Sequence, residues 1–178
     1  MTDNKIKKMV AAALFAALTC VATMVIRIPT PGTGGYVHPG DALVILSGVF
    51  LGPGMGFFAA GIGSALADLI GGYTIYIPIT FAVKGLVALL AGFAYNKLGR
   101  DRKKPWAGVI VGGIGDILLV AFGYFLPEIL LYGLAGAAAS LIPNAIQGAS
   151  GLAISLALYP VLSRAIGSSL YQRRSRTA

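Results

Sequence analysis

Charge is scarce in this chain, and so are the residues on which most protein chemistry depends. Only 11% of its 178 residues are charged, against about 25% in an ordinary soluble domain. There is one Cys, one His, one Trp and a total of six acids. A lone Cys20 excludes a disulfide framework and a CxxC metal site. One histidine beside one cysteine is too little for a zinc centre built from the chain itself. No GxSxG, HExxH or P-loop pattern occurs, and His38 has no evident nucleophile to serve, so catalysis finds no support. No metal, cofactor or enzymatic activity is expected.

What fills the chain instead is apolar: 57% of residues are hydrophobic. Several runs can cross about 30 Å of hydrocarbon, and a soluble core of this length could not absorb them all. The expected architecture is an all-α integral membrane protein with six transmembrane helices, some short or broken, both termini cytoplasmic, in one membrane domain over residues 1–178. The first run, Met9 to Ile26, follows Lys5, Lys7 and Lys8 and ends at Arg27 with Pro29 and Pro31. A cleaved secretory signal starts similarly, but here more membrane sequence follows. IPTPGTGGYVHPG at 28–40 reads as a loop, because Pro and Gly cannot continue a helix.

Asp41 is placed to cap a helix from Ala42 to Leu51. Gly52-Pro53-Gly54 stops it, and a second apolar stretch runs from Met55 to Leu69. Both fall short of the roughly 20 residues of a standard span, so residues 42–69 form either two short spans or a re-entrant hairpin. After a turn at 71–76, Ile77 to Tyr95 make a span with Lys84 about two turns in. The fifth span runs from Trp106 to about Leu126 with Asp116 near its middle, and Pro127-Glu128 breaks it. Residues 128–140 suggest a short helix or cap at the interface. Pro143 opens the last span, which reaches about Leu162 and carries Asn144 and Gln147 three apart on one face.

Twelve of the fourteen Lys and Arg residues fall in the N-terminus, the 97–104 stretch and the C-terminal segment. The positive-inside rule puts all three in the cytoplasm, which an even number of spans permits. The basic tail at 166–178 then lies inside, and about 5–165 form the six-helix core. Arg27 and Lys84 remain against Asp41, Asp68, Asp116 and Glu128, so the rest of the molecule is mildly acidic. This balance argues against a strongly anionic ligand, and the basic charge needs no nucleic acid to explain it.

The stretch from Tyr36 to Gly85 concentrates the ionisable groups: His38, Asp41, Asp68 and Lys84 among Gly, Ala and aliphatic residues. Charges in lipid-grade sequence are costly unless paired or facing a cavity. Each has a plain structural reading. Asp41 can be a helix cap, and Lys84 can pair with Asp68 or Asp116. Asn144 and Gln147 can bond another helix. Taken together with Tyr36 and Tyr76, these groups point to a convergent pocket for a small polar ligand, lined by Tyr36, His38, Asp41, Asp68, Tyr76, Lys84, Asp116, Asn144 and Gln147. Tyr73 and Tyr132 add rings that could stack on a planar ligand, while Trp106 lies at the cytoplasmic boundary. In the first helix AAALFAA sets Ala12/Ala16 and Ala13/Ala17 four apart, which either packs within the fold or lets another helix approach closely.

The Ala-rich first helix, HPGDALVILSGVFLGPGMGFFAAGIGSALADLIGGY at 38–73 and IPITFAVKGLVALLAGFAY at 77–95 together resemble the S components of energy-coupling factor (ECF) vitamin transporters. The similarity covers about residues 5–165 and is nearest to the riboflavin-type group, which includes members assigned to pyridoxine or hydroxymethylpyrimidine. The resemblance implies a prokaryotic plasma-membrane protein that binds a B vitamin or precursor in its outer half, under the loop after helix one. It implies partners: a transmembrane T subunit, contacted through Ala12, Ala13, Ala16 and Ala17, and two cytoplasmic ATPases. Delivery would occur by toppling within the membrane. Pyridoxine or hydroxymethylpyrimidine is preferred over riboflavin or another B vitamin. A stand-alone carrier and a non-transporting structural subunit are the competing readings.

Overall fold

The computed structural model describes residues 3–99 and 104–171. Its skeleton is five helices: α1 (Asp3–Val25), α2 (Asp41–Leu51), α3 (Pro53–Gly71), α4 (Ile77–Ala94) and α5 (Pro105–Tyr171). Four segments are long and apolar enough to cross a membrane, at Lys5–Val25, Pro53–Gly71, Thr74–Gly99 and Pro105–Ala165. This is a mostly helical, multi-pass membrane protein. The outward faces of α1, α4 and α5 carry exposed Val10, Leu14, Phe93, Leu130 and Ile142, as lipid contact requires.

The short α2 is the centre. At about 1.5 Å per residue its 11 residues span roughly 16 Å, too little to cross a bilayer alone. Val44, Ile45, Leu46, Val49 and Phe50 are all buried, and α1, α3, α4 and α5 surround it. A helix apolar on every side belongs in a core. Gly48 permits the tight fit, since a Cβ there would collide with the Ala88 carbonyl oxygen of α4. The chain reverses at Gly52, whose φ of 83° and ψ of 172° suit only glycine. Residues 42–69 are therefore two separate helices joined by a sharp corner, and α3 has the length of a span.

The proline-based boundaries in the last third are corrected by the structure. Pro127 and Pro143 lie inside α5 and end nothing; the break comes at Gly133, with φ 76° and ψ 170°. In an apolar medium a frayed helix end leaves carbonyls without partners, so a kinked but continuous helix around proline costs less than stopping. Gly133 divides α5 into arms at 105–132 and 134–171, and the segment at 128–140 straddles the corner.

Two further features frame the site. The 28–40 loop is not irregular throughout: β1 (Ile28–Pro29) and β2 (Tyr36–Val37) pair antiparallel, Ile28 opposite Val37 and Pro29 opposite Tyr36. A 3₁₀ turn at Thr74–Tyr76 joins α3 to α4, and a single π-helical turn at Tyr95–Gly99 follows α4. The hairpin, the 3₁₀ turn and the Gly133 corner gather at one end, where Tyr132 touches Gly34 and Gly136 meets Gly32. At the other end Phe15, Phe50, Tyr95, Trp106 and Tyr159 form an aromatic cluster. Of the basic stretches, residues 100–103 and 172–178 lie outside the described residues.

Candidate functional site

A small cavity opens beneath the hairpin. Six expected site residues line it: Tyr36 and His38 from the loop, Asp68 from α3, Tyr76 from the 3₁₀ turn, and Asn144 and Gln147 from the second arm of α5. The spacing of Asn144 and Gln147 does put both on the inward face. Five lining residues escaped sequence reading: Thr30, Gly35, Thr80, Tyr124 and Glu128. Glu128 was the one legible omission, because an acid between apolar segments carries the same signal as Asp116. Its place in a supposed helix break hid it.

Three expected residues do not line the cavity. Asp41, Lys84 and Asp116 form a buried layer beneath it, each with no exposed surface. Lys84 Nζ donates to Asp41 Oδ1 at 2.6 Å, so its direct partner is neither Asp68 nor Asp116. Asp41 is also not a cap: the N-cap is Gly40, with no side-chain capping bond. The carboxylate instead sits in the first turn of α2, where the helix dipole favours it, and turns inward to Lys84. Asp116 has no hydrogen-bond donor on either oxygen among the described residues, and Lys84 acts on it only through space. Gly151 makes room for the pair of acids, since a Cβ there would lie 2.7 Å from Asp41 Cβ and 3.0 Å from Asp116 Oδ2.

Gln147 joins this layer to the cavity wall. Its Nε2 donates to Asp41 Oδ2 at 2.8 Å, and its Oε1 accepts the His38 backbone N–H at 2.9 Å. The loop is thus tied through one amide to the buried ion pair. His38 Nδ1 accepts the Gly40 N–H at 3.1 Å, which puts the ring proton on Nε2. Burial chiefly, with Lys84 and Arg27 adding and Asp41 opposing, pushes the imidazole pKa down to about 4. His38 is therefore a neutral group.

The rest of the wall is aromatic and acidic. Tyr36 donates to Asp68 Oδ1 at 2.7 Å; burial and then the Asp68 charge raise its pKa, so it stays a donor. Tyr36 packs on Tyr73 at 4.4 Å, and the Arg27 guanidinium lies 5.0 Å from the Tyr36 ring centroid while donating to the Ala67 carbonyl at 3.2 Å. That contact holds the hairpin against the C-terminal turn of α3, where a cation is favoured. Glu128 accepts Tyr76 at 3.0 Å and, on its other oxygen, Ser140 across the Gly133 corner. Tyr124 donates to Thr80 at 3.0 Å and covers Lys84 Nζ, 5.5 Å from its ring centroid. Trp106 packs on Tyr159 at the far end, so no indole faces the cavity.

The paired alanines of α1 separate by face. Ala12 and Ala16 are half-buried against the core, and Gly63 of α3 approaches Ala16 so closely that a Cβ would collide with its carbonyl oxygen. Ala13 and Ala17 are exposed.

Known proteins resemble most of the chain and not the site alone. The family model described as "ECF-type riboflavin transporter, S component" matches residues 3–164. An uncharacterized protein of Pyrococcus woesei is 37% identical over 150 residues, 84% of this chain and 97% of its own length. The "Thiamine precursor transporter HmpT" of Lactococcus lactis is 29% identical over 166 residues, 92% of this chain and 93% of its own. A solved structure described as the S component of a bacterial ECF transporter covers 91% of this chain and 98% of its own, with a TM-score of 0.64 and 18% identity, a likeness of fold.

Proposed function

The chain belongs to the S-component family of ECF-type riboflavin transporters, and from that premise we propose that it captures a single-ring vitamin or vitamin precursor, hydroxymethylpyrimidine or pyridoxine, from outside the cell. The observation that carries this reading is the cavity beneath the hairpin. Its wall sets the rings of Tyr36, Tyr76 and Tyr124 beside the polar groups of His38, Asn144 and Gln147, a lining suited to a small planar ligand with a polar edge. The similarity to a thiamine precursor transporter favours the pyrimidine.

The site residues are those that line the cavity, with Asp41, Lys84 and Asp116 holding its floor. On this reading the chain makes six crossings, the two arms of α5 counting as two and α2 as a short one, with both termini and the 97–104 stretch in the cytoplasm, as the clustered cations favour. The exposed face of α1 docks on a transmembrane T subunit, two ATPases drive the cycle, and toppling carries the loaded cavity inward.

The test is mass spectrometry of small molecules released from gently purified protein, followed by calorimetric titration with hydroxymethylpyrimidine, pyridoxine, thiamine and riboflavin. Tight binding of a single-ring compound is the expected outcome. Preference for riboflavin would overturn the substrate, and binding of none would favour a structural subunit.

A further inference from the structure

Among the groups around the cavity, one buried atom lacks a partner. Asp68 is only 3% exposed and lines the cavity. Its Oδ1 is occupied by the Tyr36 hydroxyl, while its Oδ2 is buried and meets no donor in hydrogen-bonding geometry among the described residues; the Thr80 hydroxyl is the one other protein donor within reach of the carboxyl, and it already accepts from Tyr124. Glu128 differs: both its oxygens accept protein hydroxyls. Among the described residues no Lys or Arg lines the cavity; Lys84 is committed to Asp41 below, and Arg27 stacks over Tyr36 and Tyr73. An unpaired buried acceptor is unfavourable, and a donor arriving with the ligand removes that cost. A second group of the wall is also free to meet a ligand: Asn144 is buried at 5% exposure, lines the cavity, and makes no hydrogen bond among the described residues.

Resting on the substrate reading above, we propose that Asp68 is the specificity-determining residue of the site, its Oδ2 accepting an N–H from an exocyclic amino group on the heteroaromatic ring of the ligand. An amino group conjugated to a ring has two donors and no competing acceptor. It can therefore satisfy Asp68 Oδ2 and the Asn144 carbonyl together. A flavin edge carries one ring N–H between two carbonyl oxygens, so donating that N–H to Asp68 would leave no second donor for Asn144 and set carbonyl lone pairs beside the carboxylate. A phosphate ester would add negative charge to a wall that already holds Asp68 and Glu128 with no lining cation.

The decisive measurement is a cycle of two proteins and two probes, read by isothermal calorimetry in detergent. The probes are hydroxymethylpyrimidine and the analogue in which hydrogen replaces its amino group; the proteins are wild type and Asp68→Ala. Loss of the amino group should weaken binding to wild type by about tenfold or more, as for a hydrogen bond to a charged group, and binding to Asp68→Ala by less than about threefold. Equal losses in both proteins overturn the assignment while leaving vitamin capture intact. So does a wild type that binds pyridoxine but not hydroxymethylpyrimidine. A wild type that binds no vitamin fails at the substrate reading itself. If Asp68→Ala does not fold, the isosteric Asp68→Asn takes its place and is read in the same way.

Discussion

Lys84 shows how a residue forbidden by its surroundings becomes the anchor of a site. Its ammonium has no exposed surface and is held at 2.6 Å from Asp41, which Gln147 also contacts. Removing one member of a buried pair strands the other charge, a loss of about 3–5 kcal/mol, whereas removing both charges is far milder. Lys84→Met should therefore lower the melting temperature in detergent sharply. Lys84→Met with Asp41→Asn should recover most of that loss, because the new amide oxygen would still accept from Gln147. A double variant no better than the single one would show that the pair is not the cause. Sequence alone exposed this residue, since a lone Lys in an apolar run demands a partner. It did not expose which acid, because Asp41, Asp68 and Asp116 differ in depth and direction only once the helices are packed.

At the scale of elements, glycine sets the corners and proline does not. The boundaries expected at Pro127 and Pro143 failed because proline removes one backbone bond, a loss that neighbouring helices tolerate in lipid. Gly133 carries the break because φ 76° with ψ 170° is open to glycine almost alone. No sequence signal separates it from Gly136 or Gly148, which sit in regular helix. Its corner lets Ser140 of one arm reach Glu128 of the other, and with it Tyr76. A Cβ at Gly133 would meet nothing within 4 Å, so Gly133→Ala tests backbone strain without a clash. The expected cost is about 1–3 kcal/mol, seen as a lower melting temperature together with weaker vitamin binding. Unchanged binding in a destabilised protein would mean that the corner shapes the fold and not the cavity. By contrast the loop at 28–40, α4 and the inward face of Asn144 and Gln147 were legible, because turn chemistry and helical spacing are local.

For the whole molecule the question is which face is left for a partner, and the proposal that α1 supplies it can be argued residue by residue. The motif AAALFAA offers two equivalent pairs on paper. Packing makes them unequal: Ala12 and Ala16 face inward, Ala16 against Gly63, while Ala13 and Ala17 stay exposed between Val10, Leu14, Leu18 and Val21. Apolar side chains facing lipid gain nothing from burial alone, so association there depends on close approach over small residues. Ala17→Leu should therefore reduce copurification with the T subunit and its ATPases severalfold, with melting temperature and vitamin affinity of the isolated protein unchanged. Ala16→Leu should do the reverse, lowering the melting temperature because a larger side chain is forced into the α1–α3 contact, at a cost of about 1–3 kcal/mol. Copurification that survives Ala17→Leu and Ala13→Leu together would move the partner surface off α1. The exposed parts of α4 and α5 would then be the faces to substitute, and α1 would be left as a lipid-facing helix whose inner alanines serve only the fold.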